Sequence, residues 1–172
     1  MIRAIAAVAA VVTLFATHST LAEKQNTSAE VRSYRRIREE LPKRTPVPLR
    51  LPTFIPDTDE GTTLFAILES ANTDGYKIQL AWTEDCMGGN ACHLGEISGS
   101  QRPLAPEGRR IPVVLRKAIH GFFIDATCGA HCDDSVIYWT ENGYQYSIAM
   151  KAEKKTTLMK MANSAIGEIP KP

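Results

Sequence analysis

The feature that most constrains this fold is a hairpin signal near the C-terminal end. Tyr138-Trp139 and Tyr144-Gln145-Tyr146-Ser147-Ile148 flank Glu141-Asn142-Gly143. Asn-Gly tolerates the positive φ angles of a tight hairpin, so the two runs are expected to pair antiparallel. Upstream, Tyr76, Ile78, Leu80 and Trp82 alternate with Lys77, Gln79 and Ala81 behind an Asp74-Gly75 turn. Period-two alternation means a strand with one buried and one wet face, the habit of antiparallel sheets. Tyr144, Tyr146 and Ile148 share a face, and one of Tyr138 and Trp139 is expected to join them in the core while the other faces outward.

Further strand candidates are Leu49-Arg50-Leu51, Thr63 to Leu68, Ile111 to Leu115, Gly121 to Asp125 and Val136 to Thr140. After Lys151 the period changes. Leu158, Met161, Ala162 and Ala165 fall on one helical face, closed by Gly167 and Pro170. That helix follows the hairpin directly and is expected to cover its Tyr144 face. Near the other end, Val31, Tyr34, Ile37 and Leu41 recur at helical spacing behind Ser28 as a possible cap, and Pro42, Pro46 and Pro48 are expected to stop the helix and form an extended linker. The expected class is α+β: an antiparallel sheet, flat or curled into a half-barrel, with a C-terminal helix packed on it and a short N-terminal helix.

Residues 1–22 carry one charge, Arg3, then an apolar run from Ala4 to Ala16 and Thr20-Leu21-Ala22 before Glu23. This is the pattern of a cleaved export signal; the run is short for a membrane span. Residues 23–45 then read as a polar, basic arm with a short helix, and 46–172 as a single β-rich domain. Only Arg3 leaves with the signal, so the remaining chain balances 19 basic against 19 acidic side chains. That balance removes the electrostatic case for nucleic acid. From Arg32 to Arg50, through the arm and just past it, Arg32, Arg35, Arg36, Arg38, Lys43, Arg44 and Arg50 stand against Glu39 and Glu40. A solvated helix packed by its apolar edge is the expectation there, with contact to an acidic partner or anionic lipid surface as the lesser reading.

All four cysteines follow the signal, with the spacing Cys86-x5-Cys92 and Cys128-x3-Cys132. An even count in an exported chain favours disulfides, and four cysteines allow three pairings. A local bridge is worth about 2 kcal/mol in the chain-entropy model and a crossed one about 4 kcal/mol. Proximity favours Cys86–Cys92 and Cys128–Cys132, because each pair sits in one loop after a strand. The alternative is zinc on Cys92, His93, Cys128, His131 and Cys132, although neither spacing is the Cys-x2-Cys knuckle of structural zinc. Asp57 to Gly61 begins like a calcium loop, but Leu68 stands where a twelfth-position carboxylate is needed.

No motif names a reaction, a catalytic residue or a cofactor. His131-Cys132-Asp133-Asp134-Ser135 gathers a base, two acids and a hydroxyl, and Glu84 with Asp85 could face Asp133 and Asp134. These support an alternative reading as a secreted hydrolase using loop acids with His93 or His131. His120 reads as a half-buried strand histidine. The main expectation is a non-enzymatic exported module, periplasmic or secreted, that binds a protein or lipid-like ligand of the envelope. Trp82, Tyr138 and Trp139 are the candidate binding residues, on a concave sheet face.

Several segments carry a resemblance. They are Leu51-Pro52-Thr53-Phe54-Ile55-Pro56, the strand Tyr76 to Trp82, the Cys86 to His93 loop, Ile137 to Tyr146, and Ala162-Asn163-Ser164-Ala165-Ile166. Together they resemble small exported bacterial proteins of cyanobacterial type with no assigned activity. The Leu-Pro-x-x-x-Pro opening and the Trp-x-x-x-Gly-x-x-Tyr hairpin also resemble a domain of unknown function on the outer side of bacterial envelope regulators. That resemblance implies a curved antiparallel sheet covered by helices, similar in outline to lipoprotein-carrier and sensor domains. It brings no catalytic residue, and the cysteine loops depart from the wider domain.

Overall fold

The Asn-Gly hairpin anchors the architecture. In the computed structural model, which describes residues 34–56, 63–103 and 106–167, Asn142 and Gly143 both take positive φ and join two eight-residue strands. The strands are β1 (Phe65–Asn72), β2 (Gly75–Ala81), β3 (His93–Ser100), β4 (Arg110–Val114), β5 (His120–Ile124), β6 (Asp134–Glu141) and β7 (Tyr144–Lys151). They form one antiparallel sheet in the order β1-β2-β3-β7-β6-β5-β4. Helix α1 (Tyr34–Glu40) precedes the sheet and α2 (Lys155–Gly167) follows it, so the class is α+β. The expected export signal, the polar stretch behind it, Ser28, Val31 and Arg32, the Asp57 to Gly61 turn and Pro170 lie outside the described residues.

Helix α2 lies on β6 and β7 and buries Leu158, Met161, Ala162, Ala165 and Ile166. Beneath it the register sets Trp139 opposite Tyr146 and Ile137 opposite Ile148. Trp139 therefore joins Tyr146 and Ile148 in the core, with the Trp139 and Tyr146 rings stacked at 5.6 Å. Ile97 of β3, Ile78 and Leu80 of β2 and Phe123 of β5 extend this apolar face across the sheet.

Three expectations are corrected. Tyr138 does lie on the opposite face, yet it is buried rather than wet, stacked on Phe122 at 5.5 Å. Leu49-Arg50-Leu51 pairs with none of the described strands, because Pro48 and Pro52 flank it and the Arg50 N–H donates to the Tyr76 hydroxyl at 3.0 Å. The stretch from Pro42 to Pro48 is no mere linker either: Val47 sits in the core together with Ile37 of α1 and Leu41. The strand β3 lies in a segment where the sequence showed none.

Candidate functional site

Both cysteine loops emerge at the same end of the sheet. The segment 82–92 joins β2 to β3, and 125–133 joins β5 to β6. Each is closed by its own disulfide, Cys86–Cys92 and Cys128–Cys132, the pairing favoured by proximity. The thiolates that the zinc reading needs on Cys92, Cys128 and Cys132 are thus committed to sulfur–sulfur bonds. His93 sits elsewhere in the chemistry, and among the described residues no group of three metal-ligating side chains converges.

The register brings His93, at the head of β3, against Asp134, at the head of β6, across the intervening end of β7. The His93 Nε2 lies 3.0 Å from the Asp134 Oδ2, and its Nδ1 lies 3.4 Å from the Gln79 amide nitrogen. With Gln79 donating to Nδ1, the ring carries its proton on Nε2 and donates it to the carboxylate. Gln79 is itself buried and also donates to the Cys86 sulfur at 3.2 Å. Both imidazole nitrogens are therefore occupied by protein groups. A general base needs one of them directed at a substrate or nucleophile, so the pair braces the loop end of the sheet. Ser135, the hydroxyl that the hydrolase reading drew on, is fully buried and accepts from the Ala126 N–H at 3.1 Å. His131 lies exposed within the Cys128–Cys132 loop.

The remaining concavity of interest is on the sheet face opposite α2. No described helix covers it; Pro106 lines part of it and Gly108 sits against Ile124. A cleft of about 420 Å³ opens there, lined among others by Asn72, Lys77, Glu96, Ser98, Pro106 and Ser147. Ser98 and Ser147 share a hydrogen bond at 2.6 Å, and the Lys77 ammonium meets the Glu96 carboxylate at 2.9 Å. The bond to Glu96 raises the Lys77 pKa, so that ammonium stays charged. Farther along the same face, Pro112, Val114 and Phe122 form an apolar strip at the β4 edge, with Val114 and Phe122 exposed. The neighbouring Tyr138 hydroxyl is buried and has no hydrogen-bond partner among the described residues.

The three binding candidates are scattered by this geometry. Trp139 lies inside the core under α2 and presents nothing to a ligand. Tyr138 is on the open face but buried, and Trp82 is half-buried just beyond β2. The cleft residues were missed because β3 was not seen as a strand. Once the register pairs Gln79 with Glu96 and Ser98 with Ser147, the lining follows from alternation. No family model, no curated protein and no solved structure matches the chain.

Proposed function

We propose that the protein is an exported, non-enzymatic module that binds a segment of another envelope or extracellular protein on the helix-free face of its sheet. The observation that carries this reading is the 420 Å³ cleft on that face, walled by hydroxyls, an amide and the Lys77–Glu96 pair. The same cleft also presents the apolar surface of Pro106, Val136 and Ala149, and a protein segment offers both polar and apolar groups to such a mixed lining. Two disulfides support an oxidising compartment. The doubly engaged His93 argues against hydrolysis at the loop end.

The test is crosslinking in the source cell. A diazirine side chain in place of Ala149, which lines the cleft, is compared with one in place of Lys160, exposed on α2. A discrete partner band from the Ala149 position alone, in the periplasmic or medium fraction, is the expected result. Equal capture from both positions, or capture from neither, would overturn the reading.

A further inference from the structure

We propose that the pocket where the β4–β5 turn meets the last turn of α2 is a binding site for a phosphomonoester, carried by a small soluble molecule or by a lipid head group. Three distant parts of the chain build it: Thr53 with Phe54, Arg116, and the stretch from Lys160 to Gly167. Its volume is about 470 Å³. Because α2 supplies one wall, the pocket is distinct from the cleft on the opposite face of the sheet.

The bonds that hold these walls together consume acceptors. The Thr53 and Phe54 N–H groups both donate to the Ser164 Oγ at 3.1 Å, and that hydroxyl donates its own hydrogen to the Met161 carbonyl at 2.7 Å. The Arg116 N–H donates to the Asn163 Oδ1 at 2.6 Å, so the amide NH2 is what Asn163 keeps for a ligand. The turn itself is closed by the Leu115 N–H on the Ile119 carbonyl at 2.8 Å. Within it Lys117 and Ala118 take φ of 58° and 55°, a region that residues other than glycine seldom occupy. Such a backbone persists where surrounding contacts fix it, here the bonds to Asn163 and Ile166.

The charges of the lining are of one sign. They are Arg116 and Lys160, with no carboxylate beside them among the described residues of the wall. Neither makes an ion pair with a described residue. The Lys160 ammonium stands 5.8 Å from the centre of the Phe54 ring, a contact that places it without neutralising it. Gly167 leaves room for the guanidinium, since a Cβ there would collide with the Arg116 Nη1. The plainest reason for cations here is the C-terminus of α2, whose carbonyls amount to about half a negative charge. Lys117 already answers that, with its ammonium 3.3 Å from the Ile166 carbonyl. Two full positive charges are left to the pocket.

A phosphomonoester matches that remainder. At neutral pH it brings about 1.5 to 2 negative charges and three strong acceptor oxygens. The guanidinium fork, the ammonium, the Asn163 amide and the exposed Thr53 hydroxyl offer donors to all three. A carboxylate brings one charge and two oxygens and leaves part of the set unused. Phe54 supplies an apolar wall for the organic part of the ester.

An NMR titration of the purified full chain tests this. Phenyl phosphate should shift the Asn163 side-chain amide and the Arg116 Nε–H signals and bind at least tenfold more tightly than benzoate, which has the same ring and a single charge. Arg116→Gln and Lys160→Gln should each weaken phenyl phosphate at least tenfold, and Lys43→Gln, an exposed lysine elsewhere, should not. Both pocket side chains are exposed and the Arg116 bond to Asn163 comes from its backbone, so urea midpoints should stay at the wild-type value. Sedimentation with phosphatidylcholine vesicles then separates the two sources. Capture by added phosphatidic acid but not by phosphatidylglycerol, lost in Arg116→Gln, assigns a lipid phosphate; no capture beside phenyl phosphate binding assigns a soluble one. Equal affinity for phenyl phosphate and benzoate, no shift with phenyl phosphate, or a loss in Lys43→Gln as large as in Lys160→Gln would overturn the proposal. A phosphate ligand adds no protein band at the Lys160 position, so these outcomes are independent of the cleft tested through Ala149.

Discussion

The Arg50 guanidinium meets the Glu141 carboxylate at 2.9 Å, with both side chains nearly enclosed at 9 and 12 % exposure. The pair is 91 positions apart in sequence and ties the segment before β1 to the end of β6. Arg50 also lies 5.6 Å from the centre of the Tyr146 ring, and its N–H holds the Tyr76 hydroxyl. Removing one member leaves the other charge buried and uncompensated. Glu141→Gln should therefore cost about 3–5 kcal/mol in a urea melt. The double variant Arg50→Met, Glu141→Leu, which removes both charges, should recover much of that loss. A double variant no better than Glu141→Gln would mean that the packing of the Arg50 stem, and not its charge, holds the segment.

Tyr146 is 1 % exposed, stacked on Trp139 and roofed by Arg50. Truncation to alanine removes a large ring from a site that the surrounding strands cannot close. Tyr146→Ala should destabilise by about 3–5 kcal/mol. A surface tyrosine would change stability by less than about 0.5 kcal/mol, so an unchanged denaturation midpoint would place this ring outside the core.

The same burial makes the fold sensitive to alkali. Burial pushes the Tyr146 phenol up to about 12, and it raises Tyr34 and Tyr76 as well, against the partial opposition of Arg38 and Arg50. These folded-state values lie above that of an unfolded tyrosine, about 10. Their stabilisation is complete below pH 10 or so and is lost as pH rises toward the folded values, because the unfolded chain releases its phenolic protons first. The midpoint of urea unfolding should hold steady to about pH 9.5 and fall beyond pH 10. Tyr146→Phe should lessen the fall; a slope identical to wild type would remove Tyr146 from this account.

Each disulfide closes a small ring and should contribute about 2 kcal/mol through the unfolded chain. Cys86 has a further link to the fold through the Gln79 amide, which also reaches His93. Replacing Cys86 and Cys92 by serine should therefore cost more than replacing Cys128 and Cys132. Peptide mapping without reduction should give only the two local pairs. A larger loss from the Cys128 and Cys132 replacement would show that the Gln79 link carries no weight.

The legible parts of this chain were those set by local rules. Asn142-Gly143 specified its hairpin, the alternation from Tyr76 to Trp82 specified β2, and the spacing of Leu158, Met161, Ala162 and Ala165 specified α2. Short sequence separation also made the two disulfides readable. β3 escaped because Gly95, Ser98, Gly99 and Ser100 have little strand preference by themselves. Their smallness makes sense only against neighbours, since a side chain at Gly95 would meet the Ala149 carbonyl and the Met150 sulfur. The stretch from Pro42 to Pro48 looked like a linker by its prolines, yet Val47 packs inward, the first of a row that Leu51 and Ile55 continue at every fourth residue. The cleft stayed hidden with β3, and the Arg50–Glu141 pair is a tertiary match that no spacing rule encodes.

Gly99 gives that last argument a direct test. A Cβ built there would lie 2.5 Å from a ring carbon of Tyr76, its cross-strand partner, so the ring occupies the space a side chain would need. Gly99→Ala must displace the ring and with it the hydroxyl that accepts from Arg50. The expected cost is about 1–3 kcal/mol, the range for overpacking a filled core. Gly129 is the control, since it lies in the Cys128–Cys132 loop with no neighbour within 4 Å of its would-be Cβ and without a positive φ. Gly129→Ala should change stability by less than about 0.5 kcal/mol. Thermal melts of the two single variants make the comparison. If Gly99→Ala were as neutral as Gly129→Ala, the Tyr76 ring would not lie across β3, and the glycine would need another explanation.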